Sequence, residues 1–197
     1  MRLILQTNIL LVNRNNINEH FNMIGSDYIE FDRALNTGFR ILKSEKQKSF
    51  GLLIICGINL GLRIQDLLNL TFEDLRKEKI HIIEGKTKKR RTLIVNDNIK
   101  KALNSFDDLD RGYCFKSQKQ TVFSKQQVNR LMKKYFKGKV SSHSLRKTFG
   151  RRVWENDRES ERSLIYLSEI FNHSSIQMTR IYLGIRQEEL NEVYLSL

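Results

Sequence analysis

Proline is absent from the 197 residues of the chain, and cysteine occurs only twice, at Cys56 and Cys114. Without proline, the ends of helices have to be predicted from capping residues and glycines alone. The two cysteines form no Cys-x-x-Cys pair, which argues against a zinc site of the usual kind. Cys56 lies in the apolar run LLIICGINL, so we predict a buried thiol, which fits a reducing cytoplasm.

Long apolar runs are also missing, so a membrane-spanning helix is not expected. The start of the chain, MRLILQTNILLVNRNN, is apolar only in short pieces and has no small-residue cleavage site, unlike a secretory signal. The sequence has neither a Gly-rich phosphate loop nor a cluster of Asp and Glu that would suit two metal ions. Nucleotide- or metal-dependent nuclease chemistry therefore lacks the residues it needs, and we predict no cofactor and no metal.

Acidic residues are fewer than basic ones: the chain has 22 Asp and Glu but 35 Lys and Arg, which gives a formal net charge of +13. Such an excess attracts polyanions, of which nucleic acid is the common one. A membrane surface would favour a single basic helix or tail, whereas the basic residues here run from Arg2 to Arg186. The spread of charge therefore predicts nucleic acid, and no membrane, as the partner.

The hydrophobic fraction of 40% is sufficient for one sizeable domain. Residues 1–27, with an Asn-rich link, are predicted to be an entry segment, and residues 28–197 to be the folded domain. The run QKSFGLLIICGIN is apolar nearly all round and predicts a central buried helix. Two β-branched runs, Ile80–Ile83 and Thr92–Val95, predict a hairpin. The predicted fold class is α+β, mainly α-helical, with a small antiparallel hairpin at the edge.

Basic residues fill the predicted hairpin turn, where five of the six positions from Lys86 to Arg91 are Lys or Arg. They can form a solvated tip or a finger that lies along phosphates. We favour the finger, because solubility alone rarely demands such a density of charge.

A second candidate is Arg63, in the stretch LGLRIQDLLNL, with Asp66 three positions later on the same helical face. The two residues can form a surface ion pair. Alternatively, the apolar neighbours bury the guanidinium partly and keep it for planar anion recognition. The residues alone leave both interpretations open.

Two further stretches carry imidazole, guanidinium and phenol groups. In SSHSLR, Ser142 is predicted to cap a helix whose first turn holds His143 and Arg146, a good location for an anion. In FNHSSIQMTRIY, Ser174 or Ser175 is predicted to cap a short helix ending at Tyr182. A lone histidine or tyrosine is more often structural, so only the spacing and the basic setting favour a phosphodiester site.

Taken in order, the blocks LGLRIQDLLNL, GKTKKRR, HSLR and FNHSSIQMTRIY resemble those of the tyrosine recombinases, the phage integrase family. The resemblance covers about residues 28–194. It implies a helical catalytic domain over residues 28–197 that cleaves and rejoins double-stranded DNA at specific sites without metal or ATP. The location that it implies is cytoplasmic and nucleoid-associated. The catalytic residues that it implies are Arg63, Lys86, His143, Arg146, His173 and Tyr182. The DNA-binding residues that it implies are Lys88, Lys89, Arg90, Arg91 and Lys147.

The resemblance also implies a role for each catalytic residue. The two arginines clamp the non-bridging oxygens, and Tyr182 is the nucleophile that forms a 3′-phosphotyrosyl link. His143 accepts a proton and His173 holds the phosphate. Lys86 protonates the leaving oxygen, with Lys88 or Lys89 as substitutes if the hairpin register differs. Asp66 orients neighbouring cationic groups.

The sequence departs from the family pattern at two places. Asn172 stands where the family has glycine, and Phe171 where it has leucine; asparagine tolerates the left-handed conformation that glycine supplies. The family's separate N-terminal DNA-binding domain also has no counterpart within residues 1–27. Two interpretations remain open: a catalytic-domain fragment, or a chain similar to short stand-alone recombinases that invert promoter segments.

Two alternatives to a recombinase remain open, a type IB topoisomerase-like enzyme and a catalytically inactive DNA-binding regulator. The end of the chain predicts a helix with an apolar stripe, which either folds back or docks on a neighbouring subunit. The stripe consists of Leu190, Val193, Tyr194 and Leu197. We expect self-association on DNA through this helix, as a tetramer at the synapse.

Overall fold

The computed structural model of the chain describes residues 25–197, apart from the side chains of residues 186–190. Most of the predicted entry segment, residues 1–24, and the side chain of Leu190 therefore lie outside the described residues. In order along the chain, the helices are α1 (Phe31–Leu42), α2 (Lys48–Leu60), α3 (Ile64–Leu68), α4 (Phe72–Leu75), α5 (Asp97–Leu103), α6 (Lys125–Tyr135), α7 (Ser142–Asn156), α8 (Glu161–Phe171), α9 (Ile176–Leu183) and α10 (Ile185–Leu195). The strands are β1 (Lys79–Ile83) and β2 (Arg90–Ile94).

Helix α2 is the centre of the main core, as its all-round apolar sequence predicts. Nearly all of its side chains are buried, including that of Cys56, which confirms the predicted buried thiol. Helices α1, α5 and α7 pack against it. The helix ends at Gly61, whose φ of +59° is left-handed, and an added Cβ there would lie 2.4 Å from the Phe149 ring. Glycine is therefore required at this turn for conformation and for space.

The predicted hairpin is confirmed, because β1 and β2 pair antiparallel with Ile80 opposite Leu93 and Ile83 opposite Arg90. Ile80 and Leu93 are buried against the main core, which sets the register of the two strands. The alternating positions, including Ile83 and Ile94, are exposed. The residues between the strands form the turn that carries the basic cluster.

A smaller apolar cluster forms where α7, α8 and α9 meet, and it supports the candidate site. Its buried members are Trp154, Leu164, Leu167, Phe171, Leu183 and Ile185. The rings of Phe149 and Tyr182 pack against this cluster without being fully buried. The side chains on its surface are therefore held by buried neighbours on three helices.

The fold is mainly α-helical with one small antiparallel sheet among the described residues, as the sequence predicts. None of the helices in the described part of the chain is long and apolar enough to cross a membrane. On α10 and beyond it, Val193, Tyr194 and Leu197 are largely exposed. This part of the apolar stripe thus does not fold back onto the domain.

Candidate active site

Arg63 begins a new helix directly after the left-handed turn at Gly61, because it is the N-cap residue of α3. Its guanidinium is three-quarters buried and does not pair with Asp66 in the described structure. Instead, Nη1 donates to Oε2 of Glu84 at 2.8 Å, and Nη2 donates to the carbonyl of Phe171 at 3.0 Å. The arginine is therefore held between the hairpin and the end of α8, in place of a surface ion pair with Asp66.

Glu84, at the base of the basic hairpin turn, is the acidic centre of this region. Its side chain is 1% exposed. Oε2 also accepts from the hydroxyl of Thr87 at 2.7 Å, and Oε1 accepts from Nη1 of Arg91 at 2.7 Å. Burial by itself raises the pKa of this carboxyl, but the hydrogen bonds from Arg91 and Thr87 and the charge of Arg63 hold the pKa below its usual range. Glu84 is thus a buried anion between two arginines.

The hairpin turn separates its basic residues into two groups. Lys86, Lys88, Lys89 and Arg90 are exposed. We call Lys88, Lys89 and Arg90 the turn cations. Arg91 is largely buried and also donates to the carbonyl of Ile170 at 3.3 Å. Arg91 therefore fastens the hairpin to α8, whereas the turn cations face solvent.

Asp66 lies against the same turn. Its Oδ1 accepts a hydrogen bond from the backbone N–H of Gly85 at 2.8 Å, next to Lys86. Its other carboxylate oxygen, Oδ2, is buried and has no hydrogen-bond partner among the described residues. Asp66 thus contacts the backbone of the hairpin rather than a cationic side chain.

Helix α7 begins one residue earlier than predicted, because Ser141, and not Ser142, is the N-cap. Two serines stand side by side, and Ser141 is selected because it forms a reciprocal capping box with Ser144. His143 follows in the first turn and is exposed. Partial desolvation of its ring, with the charges of Lys125, Arg146 and Lys147, lowers the pKa of His143 below its ordinary value.

Arg146 lies one turn further along α7 and is 5% exposed. Nη1 donates to the carbonyl of Gly61, and the guanidinium carbon lies 4.4 Å from the centre of the Phe171 ring. Nη2 is buried and has no hydrogen-bond partner in the described part of the protein. Burial lowers the pKa of Arg146 to about 10, so the group remains a cation at neutral pH.

His173 is placed by the end of α8. Asn172 ends this helix with φ of +52° and ψ of +52°, which confirms that asparagine takes the left-handed conformation here. Ser175 caps α9, as one of the two predicted alternatives, and Nδ1 of His173 lies 3.0 Å from Oγ1 of Thr179. Desolvation, followed by the charges of Arg146 and Arg63, lowers the pKa of His173 to about 4. The imidazole is therefore neutral at physiological pH.

Tyr182 packs its ring between Phe171 and His173, with centroid distances of 5.4 and 5.2 Å. The ring has an exposed edge, but the hydroxyl is buried and has no hydrogen-bond partner within the described residues. Desolvation raises the pKa of Tyr182 to about 12, although Arg146 and Arg63 act in the opposite direction. A phenol and two guanidinium groups therefore lie around one residue, Phe171, which all three contact.

Lys147 is buried, unlike the turn cations, and its Nζ lies 5.4 Å from the centre of the Tyr182 ring. Burial lowers the pKa of Lys147 to about 8, with the charge of Asp27 acting in the opposite direction. The amine is thus part of the wall behind the tyrosine rather than of the exposed basic surface.

Around Arg146 the structure brings together five of the six residues that the resemblance selected. Arg63, His173 and Tyr182 interact electrostatically with Arg146, and so does His143. Lys86 is exposed on the hairpin turn and makes no side-chain contact with these five in the described structure. Its link to them in the described residues is its neighbour Glu84, which accepts a hydrogen bond from Arg63.

Sequence reasoning missed three contributors to this site: Glu84, Phe171 and Thr179. The acidic residue at the base of a basic turn was a usable signal, because an isolated carboxylate among cations is a natural partner for them. Phe171 stands out in the sequence only as a departure from a family pattern, whereas its ring contacts Arg146 and its carbonyl contacts Arg63. No sequence signal distinguished Thr179.

Residues that could hold a metal ion do not cluster here. Among the residues that the structure describes, no three His, Cys, Asp or Glu side chains are grouped as metal ligands would be. What the pocket offers is positive charge and hydrogen-bond donors around a phenol, an arrangement suited to an anion such as a phosphodiester.

Comparison with known proteins gives consistent results. A family model described as the phage integrase family matches residues 30–189. The probable integrase/recombinase YoeC of Bacillus subtilis (strain 168) is 31% identical over 162 residues, covering 78% of this chain and 86% of YoeC. The crystal structure of XerA recombinase superimposes with a TM-score of 0.62 and 26% identity, over 86% of this chain and 64% of that one.

A further solved structure, the XerH site-specific recombinase bound to palindromic difH substrate in a post-cleavage complex, matches with a TM-score of 0.60 and 22% identity. The match covers 86% of this chain and 53% of the XerH chain. The chain thus spans between half and two thirds of the length of these two solved structures, and at this identity the second one shows the fold alone.

Proposed function

The chain belongs to the phage integrase family, and from this premise we propose that it is a site-specific DNA recombinase acting through a covalent 3′-phosphotyrosyl intermediate. The observation that carries the proposal is the buried Tyr182 hydroxyl, whose ring contacts Phe171 together with the guanidinium groups of Arg63 and Arg146. A DNA-binding module needs basic charge, but it has no use for a buried phenol surrounded by guanidinium groups. Residues 28–197 form the catalytic domain in this proposal.

The two arginines stabilise the charge that develops on the non-bridging oxygens. Nη2 of Arg146 has a free donor for this purpose in the described structure, and Arg63 keeps its Nε–H. Both groups are already held in place by carbonyl or carboxylate partners, so little reorganisation is needed when the phosphate enters. Preorganised donors of this kind act most strongly where water is excluded, as it is around Arg146.

The Tyr182 oxygen attacks phosphorus, a P–O bond to tyrosine forms, and the bond between phosphorus and the 5′ oxygen breaks. With a phenol pKa of about 12, only a minute fraction of Tyr182 is ionised at neutral pH, so its proton has to leave during the attack. His143 is the proposed acceptor, because its lowered pKa keeps the imidazole neutral. Lys86 then protonates the departing 5′ oxygen, with Lys88 or Lys89 as substitutes.

His173 contributes a hydrogen bond rather than a charge. When Nδ1 accepts from the Thr179 hydroxyl, the neutral ring carries its proton on Nε2, which can donate to a phosphate oxygen. The low pKa of about 4 keeps the ring in this neutral form across the physiological range.

DNA is the proposed partner, and XerH, a protein of the same fold, is bound to its difH substrate in the solved complex. The exposed turn cations and the net charge of +13 provide the attraction to phosphates. We further propose that protomers associate on DNA, as a tetramer at the synapse, through α10 and the residues after it, where Val193, Tyr194 and Leu197 are exposed.

Covalent trapping tests the proposal. DNA that flanks the gene is nicked close to each candidate cleavage site, so that the strand fragment diffuses away after attack and the adduct accumulates on an SDS gel. We expect an adduct with the wild-type chain and none with Tyr182→Phe. Tyr166→Phe, a change at an exposed tyrosine on α8, serves as the matched control and should trap DNA normally.

An adduct that persists in Tyr182→Phe would show that the nucleophile is assigned wrongly. Relaxation of any supercoiled plasmid, whatever its sequence, would favour a topoisomerase-like enzyme instead. A mobility shift with no covalent product on any flanking DNA would favour a regulator that only binds.

A further inference from the structure

Glu84 takes no part in the proposed chemistry. It contacts two parts of the site that do, namely Arg63 and the hairpin turn that carries Lys86. We propose that Glu84 is a positioning residue that holds Arg63 and the Lys86 turn in one fixed relation, so that both reach the same phosphate. The inference rests on the proposed function, because it concerns how that site is assembled.

On the arginine side, Glu84 uses both of its carboxylate oxygens. One oxygen receives Arg63 and the other receives Arg91, at 2.8 and 2.7 Å. The same two arginines donate to the last carbonyls of α8, those of Phe171 and Ile170. Since these carbonyls are the negative end of the helix dipole, the two cations lie between a carboxylate and a helix C-terminus. This arrangement fixes the orientation of the Arg63 guanidinium.

On the other side, Glu84 holds the hairpin turn that carries Lys86. The Thr87 hydroxyl donates to the same carboxylate oxygen as Arg63, at 2.7 Å. The Glu84 backbone closes the turn as well, because its carbonyl accepts from the N–H of Lys88 at 2.9 Å and its N–H donates to the carbonyl of Lys89 at 3.0 Å. Lys86 lies inside this closed turn, so its backbone position depends on Glu84.

The contacts of the buried Glu84 carboxylate argue against a merely structural ion pair with Arg63 and Arg91. A buried carboxylate is costly unless it is paired and hydrogen-bonded, and two paired strands can be joined by a turn without one. Here a single carboxylate touches both the arginine that stabilises phosphorus and the turn of the lysine that protonates the leaving group. Removal of the Glu84 carboxylate should therefore weaken two distinct steps of one reaction.

Leaving-group chemistry separates these two contributions. On ordinary DNA, the P–O5′ bond breaks and the oxygen takes a proton from Lys86. When sulfur replaces the bridging 5′ oxygen, the P–S bond breaks and a thiolate leaves, and a thiolate needs no proton because thiols are far more acidic than alcohols. A defect in the position of Lys86 disappears on the sulfur substrate, whereas a defect at Arg63 remains.

The experiment measures single-turnover cleavage by the full chain, at saturating DNA, on matched oxygen and sulfur substrates. For Glu84→Gln we expect a rate decrease of about 100-fold on the oxygen substrate, which shrinks to about 10-fold on the sulfur substrate. Thr87→Val removes the hydrogen bonds on the turn side, namely the one to the Glu84 carboxylate and the weaker one that the hydroxyl accepts from the N–H of Lys89. Its decrease of about 5-fold on the oxygen substrate should vanish on the sulfur substrate. Thr92→Val, the same change at an exposed position on β2, should cleave both substrates at the wild-type rate.

Equal decreases on the two substrates, or wild-type rates for both Glu84→Gln and Thr87→Val, would overturn the inference. If Glu84→Gln fails to fold by circular dichroism, Thr87→Val decides alone, since it leaves the carboxylate and both arginines in place. A wild-type chain that forms no adduct on any substrate refutes the proposed function. A wild-type chain that forms the adduct, with variants that show no difference between substrates, refutes only the role of Glu84.

Discussion

The neutral imidazole of His173 makes the stability of the domain depend on pH in a defined direction. The pKa of His173 falls from 6.5 to about 4 on folding. The unfolded chain therefore takes up a proton as the pH drops below 6.5, while the folded chain does not until about pH 4, so stability decreases on acidification through this window. From these two pKa values, the free energy of unfolding should fall by about 2 kcal/mol between pH 7 and pH 5 on account of this one group.

The assay is urea denaturation at pH 7 and pH 5 for the wild-type chain and for His173→Gln. Glutamine retains a polar group for Thr179 but has no proton to gain, so the variant should lose about 2 kcal/mol less than the wild type over the same interval. Measurement stops at pH 5 because the carboxyl groups of Glu84 and Asp157, whose pKa values lie below their ordinary range, remain ionised there. An equal pH dependence in both proteins would refute the argument that the folded state excludes a protonated His173.

Three further predictions concern packing, backbone and charge. Phe171→Ala, at a fully buried ring, should lower the free energy of unfolding in urea by about 3–5 kcal/mol. Gly61→Ala should be more destabilising in the same assay than Gly112→Ala. Both glycines have a positive φ, but of the two only Gly61 would bring its added Cβ against a ring, that of Phe149. Equal destabilisation would contradict the steric argument. Replacing the three turn cations by alanine should reduce the slope of log affinity for DNA against log salt by about 0.9 for each phosphate that is no longer neutralised, measured by fluorescence anisotropy. An unchanged slope would show that the turn cations do not neutralise DNA phosphates.

Much of the fold is predictable from the sequence because the deciding interactions are local. The capping box from Ser124 to Gln127 sets the start of α6, and Ser175 does the same for α9. Two β-branched runs around a Gly-containing basic turn are sufficient to predict the hairpin. The predicted start of α7 is wrong by one residue, since two adjacent serines can both act as caps and only the partner at Ser144 decides between them.

The interior of the site is less predictable, because it depends on interactions between distant parts of the chain. Asp66 is the natural partner of Arg63 by its spacing of three residues, yet Arg63 pairs with Glu84, 21 residues away. Local spacing cannot show that the hairpin folds back over α3 and places its own carboxylate there. For the same reason, the sequence does not show that Arg91 and Lys147, which the family resemblance implies as DNA-binding residues, are largely buried in the domain.

The groups without hydrogen-bond partners indicate how the site changes when DNA binds. Within the described residues, the Tyr182 hydroxyl and Nη2 of Arg146 are both buried and both unpaired. A buried polar group that stays without a partner costs roughly 1–3 kcal/mol, so both groups favour the binding of a ligand that can form hydrogen bonds. We expect a phosphate oxygen to accept a hydrogen bond from Nη2 of Arg146, which gives this donor a partner. The bound phosphate then also offers a partner to the Tyr182 hydroxyl. In the proposed reaction, the substrate thus gives hydrogen-bond partners to the same two groups that act on it.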